Sequence, residues 1–148
     1  TPLLIKLFDY AGLIKDMHFM LQEEVVDRLA AQPNTSQWGR LSVLSQYFCK
    51  VEKLFQVPPG CFVPQPKVNS AIVRLTFKPA EELTALNTQT LSETLRLSFA
   101  QRRKTLRNNL KGVITSANLE HLGLNPQARP ETLTLEDFIK LANFRENN

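Results

Sequence analysis

Glycine is scarce in this chain, with five in 148 residues. None of them builds the Gly-rich turn that cradles a nucleotide or dinucleotide phosphate, so the usual phosphate-binding loop of an α/β fold is not written here. Cysteine is scarcer still. Cys49 and Cys61 are too few for a disulfide framework, and both are expected to be reduced thiols of a cytosolic protein. His18 and His121 stand alone, no Cys/His cluster has metal-ligand spacing, and no metal is expected. Long apolar runs are missing, which excludes a membrane-spanning helix. The opening TPLLIKLFDYAG has a lysine inside its apolar run and no small-residue cleavage site, which reads against a secretory signal.

What is present is an ordinary globular balance, 43% hydrophobic and 22% charged, over a length that allows one medium domain or two small ones. The net charge of +4 decides little by itself. Its distribution says more. Arg96, Arg102, Arg103, Lys104, Arg107 and Lys111 follow one another with no acid between them, while acids and bases alternate elsewhere. Such a stripe suits a polyanion such as nucleic acid, and it equally suits a solvated helix face.

Periodicity orders the elements. Thr1-Pro2 reads as an N-cap and first helical residue, with Leu3, Leu4, Leu7 and Phe8 on the helical period and Gly12 ending it. MHFML at 17–21 reads as a core strand, which makes His18 an expected core histidine. Residues 22–31 read as a helix with Val25, Val26 and Leu29 inward, and 33–39 as a loop. Leu41, Val43, Leu44, Tyr47 and Phe48 have helical spacing, which favours the core for both aromatics. Residues 51–57 and 70–77 read as strands that could pair antiparallel at a sheet edge. Past Pro79 the strand pattern stops. Leu91, Leu95 and Phe99 form one helical stripe and Leu106 with Leu110 another, 113–122 reads as a helix ending at Gly123, and Thr134 caps a last helix with Asp137 at the capping-box position. The pattern predicts an α/β piece over 1–80 and an all-helical piece over 81–148. Three strands are few for a doubly wound sheet, so the first piece reads as the second half of such a domain.

Between the last two strands lies CFVPQPKVNS, residues 61–70. Its alternating prolines leave a stiff extended backbone beside an aromatic, Phe62. Here the chain resembles a known family, the small-subunit (16S) rRNA adenine N6-dimethyltransferases. The likeness runs through DMHFMLQEEVVDRLAA (16–31), GRLSVLSQYF (39–48), VEKLFQVPPGCFVPQPKVNSAIVRL (51–75), RRKTLRNNL (102–110) and NPQARPETLTLEDFIKLAN (125–143). The F-x-P-x-P-K-V-x-S and R-R-K-T-L-x-N-x-L stretches are specific in combination.

The resemblance implies a Rossmann-like domain that uses S-adenosylmethionine, followed by a small helical rRNA-binding domain. It implies that the cofactor loop and an N-L-P-Y-type catalytic motif lie upstream of Thr1. No catalytic or cofactor-binding residue is therefore expected in this chain, which by itself is expected to be inactive. A base whose amino group is methylated must leave its stack, and aromatic faces then replace its neighbours. Phe62 is the implied stacking wall, on a base-pocket loop with Pro64, Pro66 and Lys67. Left open are a phosphate contact or plain solvation for Lys67, and a loop-bracing role for Asn69 and Ser70. For Arg40 the choice is an RNA contact or a salt bridge, and for Trp38 a base platform or a cover for the core edge. Arg102, Arg103, Lys104, Arg107 and Lys111 are the implied RNA-binding residues, with Asn108 and Asn109 either contacting RNA or capping a helix end. The expected partners are small-subunit rRNA and the small ribosomal subunit's precursor, met by a cytoplasmic monomer. The rival reading is a non-catalytic RNA-binding or ribosome-assembly module.

Overall fold

The structure, a computed structural model, describes residues 2–10 and 12–148. The N-cap expected at Thr1 lies outside them. The chain forms two compact units, residues 1–31 with 44–83, and residues 32–43 with 84–148.

The first unit is built on a three-stranded sheet of β1 (Asp16–Gln22), β2 (Cys49–Val57) and β3 (Ser70–Phe77) in the order β1-β3-β2. Both outer strands run antiparallel to β3, so β1 and β2 point the same way with β3 inserted between them. Helices α1 (Pro2–Leu7) and α2 (Glu23–Leu29) flank β1 in sequence. Alternation divides the sheet into two faces. Ala71, Val73 and Leu75 are buried, with Met17, Phe19 and Leu21 opposite them in register on β1. Helix α2 packs on the strands through buried Val26 and Leu29. Buried Phe8, after α1, stacks on Phe48 at 5.1 Å and meets Phe77 edge-on at 6.4 Å.

His18 is not a core residue. It pairs with Arg74 on the opposite face and is exposed. The apolar run MHFML conceals a strand with a two-residue period, so Met20, on His18's side, is also 51% exposed.

Helix α3 (Arg40–Phe48) starts in the residues assigned to the second unit. That unit otherwise contains α4 (Thr88–Ser98), α5 (Leu106–Asn109), α6 (Ser116–His121) and α7 (Leu135–Asn147). Residues 32–43 cluster with it, which a sequence boundary at 80/81 does not include. The reason is a pair of long-range bonds. Trp38 is 1% exposed and its Nε1 donates to the Leu133 carbonyl at 2.8 Å, while Asn34 N–H donates to the Glu131 carbonyl at 2.7 Å. Trp38 therefore plugs this core, which closes the base-platform alternative. Helices α4 and α7 pack together around Leu91, Leu95, Phe138, Leu141 and Ala142. The Thr134–Asp137 capping box that opens α7 is formed as the sequence predicts. The helix expected over 113–122 is shorter. Gly112, at φ +84°, holds a turn, and the Thr115 hydroxyl accepts from Asn118 N–H at 3.1 Å, so α6 starts only at Ser116.

Candidate nucleic-acid interface

The proline loop belongs to the first unit and spans the gap from Val57 to Ser70, which pair with each other across β2 and β3. A 3-10 turn at Pro59–Cys61 opens it, with Cys61 N–H donating to the Pro58 carbonyl and Phe62 N–H to the Pro59 carbonyl at 3.2 and 3.1 Å. Phe62 follows in extended backbone, half-buried, and the Val63–Pro64 peptide is cis. Val63 and Pro64 are exposed, Pro66 is half-buried and Lys67 is exposed. At the far end the Asn69 carbonyl accepts from Glu23 N–H at 2.9 Å, pinning the loop to the start of α2. Asn69 thus braces the loop through its backbone. Phe62, half-buried, sits on a segment held at both ends. Ordering such a loop during binding costs about 1–2 kcal/mol per residue, which a loop fixed beforehand avoids.

Ion pairs tie β2 to the neighbouring elements. Lys53 Nζ lies 3.0 Å from both Glu23 and Asp27, and Arg74 lies 3.0 Å from Glu52 across β2 and β3. Hydrogen bonding from Lys53 holds the Glu23 carboxyl below the usual range, and Arg74 does the same for Glu52. Lys53 and Arg74 are pushed up by the same contacts. Burial drives the Cys49 thiol up to about 12, whereas Cys61 is exposed.

The basic run lies in the second unit, and much of it is not helical. Residues 100–105 form turns before α5. Asn109 organises them, its Nδ2 donating to the carbonyls of Ser98 and Gln101 at 3.0 Å and reaching that of Lys104 at 3.5 Å. Asn109 is therefore a brace for the cationic turn. Arg102 donates to the Ser36 carbonyl at 3.3 Å and lies 5.7 Å above the Phe99 ring. Arg102 and Arg103 line a cavity of about 410 Å³ with Arg129, Glu131, Thr132 and the loop 34–36. Arg107 and Lys111 are absent from its lining. Among the described residues none of Arg102, Arg103, Lys104, Arg107, Lys111 and Arg129 is in a salt bridge, whereas Arg28, Lys53, Arg74, Arg96, Lys140 and Arg145 all are. Arg40 donates to Ser92 Oγ at 3.2 Å and makes no salt bridge there. Sequence reasoning missed Arg129 because it stands alone, flanked by proline turns, with no basic neighbour to mark it.

Among the described residues no glycine-rich turn joins a strand to a helix to cradle the implied cofactor. Strand β1 runs straight into α2 at Gln22–Glu23, with no glycine among these described residues to admit a close backbone approach. Among the described residues no group of three or more His, Cys, Asp or Glu side chains could hold a metal ion, and no helix is long and apolar enough to cross a membrane.

Among solved structures, a dimethyladenosine transferase from Plasmodium falciparum superposes with a TM-score of 0.81 at 30% identity, over 95% of this chain and 60% of that one. The 23S rRNA methyltransferase ErmE shares the fold alone, with a TM-score of 0.58 at 24% identity. The architecture is thus a distal part of a Rossmann-like methyltransferase domain with a small helical unit. The family model for ribosomal RNA adenine dimethylase matches residues 1–147, and the chain belongs to that family. Ribosomal RNA small subunit methyltransferase A of Aliivibrio fischeri (strain MJ11) is 51% identical over all 148 residues, which make up 54% of its own length. The protein of the same name from Hahella chejuensis is 53% identical over 144 residues, and that from Legionella pneumophila (strain Lens) is 50% identical over 147. The chain spans about half the length of these curated relatives.

Proposed function

We propose that this chain is the C-terminal part of an S-adenosylmethionine-dependent enzyme that dimethylates the N6 amino group of adenines in small-subunit rRNA, in the cytoplasm and as a monomer. Within it, residues 1–80 contribute one wall of the base pocket and residues 81–148 dock the RNA. Phe62 stacks on the extruded adenine, with Pro64 and Pro66 stiffening its loop and Lys67 placed for a nearby phosphate. The cofactor supplies the methyl group when bound. It is held mainly by sequence outside this chain, which alone binds rRNA without transferring a methyl group.

The observation that carries this reading is the cationic cavity of Arg102, Arg103 and Arg129, whose three guanidiniums have no carboxylate in a salt bridge. Three arginines around one concave site, with the Glu131 carboxylate in the same lining but paired with none of them, suit phosphodiester oxygens, which bind by charge and fork geometry without reading sequence. The test is filter binding of the chain to small-subunit rRNA across a KCl series. The expected result is a steep salt dependence that flattens in R102Q/R103Q. An unchanged slope in that variant overturns the docking role. Methyl transfer from S-adenosylmethionine to rRNA by this chain alone overturns its assignment as the part without the catalytic motif.

A further inference from the structure

The basic run contributes side chains to two cavities. Arg107 and Lys111 line a separate cavity of about 380 Å³, shaped by residues 107–116, that shares no lining residue with the arginine cavity. No carboxylate lines it, and neither cation makes an ion pair with any described residue. The two are four residues apart across the end of α5, so their like charges repel, and an anion between them would relieve that repulsion. Gly112 makes the recess. Its φ of +84° turns the chain sharply, and a Cβ placed there meets nothing within 4 Å. The turn brings Thr115 and Ser116 into the same lining. The Thr115 hydroxyl oxygen accepts from Asn118 N–H, which leaves its hydrogen free to donate. Two cations and two hydroxyls around one recess, with no acid, match a tetrahedral oxyanion better than a base edge.

We propose that this cavity is a second phosphate subsite, taking an RNA backbone phosphodiester independently of the Arg102–Arg103–Arg129 cavity. It rests on the reading that the helical unit docks rRNA, and it adds that docking occurs at two separable points. The experiment compares the wild-type chain, R107Q/K111Q, R102Q/R103Q and the fourfold variant by rRNA binding across KCl. In parallel, the amide resonances of Gly112 and Ser116 are followed by NMR during titration with inorganic phosphate and with a short single-stranded RNA. All four side chains are exposed, so the fold should survive, and a thermal melt checks that it does.

R107Q/K111Q should weaken rRNA binding about five-fold and lower the log–log salt slope by about 1, the amount expected for one lost phosphate contact. Its effect should add to that of R102Q/R103Q. The Gly112 and Ser116 resonances should shift with RNA in the wild type and stay still in R107Q/K111Q. A wild-type slope in R107Q/K111Q, or no effect beyond that of R102Q/R103Q, overturns the second subsite while leaving the docking reading intact. If the wild-type chain shows no salt-dependent rRNA binding, the docking reading and the RNA assignment both fall. Shifts with inorganic phosphate would then reassign the recess to a free phosphate.

Discussion

Phe62 is half-buried, and the proposed stacking role requires that its ring be reachable by a base. Aromatic stacking on an unpaired base is worth roughly 1–3 kcal/mol. Phe62→Ala should therefore weaken binding of an RNA carrying 2-aminopurine at the target adenine by about ten-fold or more, and Phe62→Tyr should restore it. Equal binding by Phe62→Ala would make the residue a core plug. The two thiols make a second contrast between single residues. Cys61 is exposed, while burial pushes the Cys49 thiol up to about 12. Iodoacetamide at pH 8 should label one thiol quickly, at Cys61, and the other only after unfolding. Peptide mapping checks the assignment. The same shift has a stability consequence. A thiol raised on folding helps the native state below its ordinary value, near 8.5, and that help is lost as pH rises toward about 12.

At the scale of elements, one amide and a set of ion pairs hold the functional segments in place. Asn109 ties the Ser98 carbonyl, ahead of the 100–104 turn, to those of Gln101 and Lys104 within it, so Asn109→Ala should leave those carbonyls short of a donor. The expected cost is about 0.5–1.5 kcal/mol in a urea melt, because most of these carbonyls can turn to water. It should also weaken rRNA binding, although the substitution removes no charge, and retention of full affinity would separate the brace from the cationic turn. In the sheet unit, Glu23 and Glu52 are held below the ordinary carboxylate range by Lys53 and Arg74. Their stabilisation is present above about pH 4.3 and is lost as pH falls through the lowered values. Lys53 is raised, so its contribution is complete below about 10.4 and is lost as pH rises through the raised value. Unfolding midpoints should therefore hold a plateau at neutral pH and decline on both sides. Glu52→Gln should shrink the acid-side decline, and an unchanged acid limb would contradict the assignment.

For the molecule as a whole, a net charge of +4 is too small to explain strong polyanion binding by itself, so the arrangement of charge must decide. Lys6→Gln with Lys50→Gln removes the same two charges as R102Q/R103Q from exposed sites in the other unit. That variant should keep the wild-type salt slope for rRNA, and a drop equal to that of R102Q/R103Q would mean that bulk charge governs binding. Much of the architecture was legible beforehand because it is written in local periods. The two-residue alternation of 70–77, the helical stripe of Leu91 and Leu95 and the Thr134–Asp137 capping box each lie within one stretch of chain. His18 was misread because an apolar run does not reveal which of its residues face the core. The 113–122 helix was overextended because Gly112 and Thr115 hold a turn there. The sequence by itself determined the element types, the family and the list of cations, since composition and motif spacing are properties of the linear chain. Only the tertiary structure decided that Trp38 closes the helical core, that Arg129 joins Arg102 and Arg103, and that Arg107 and Lys111 line a recess of their own. Those placements depend on contacts across up to 95 residues and on how one glycine turns the chain, and neither leaves a local trace.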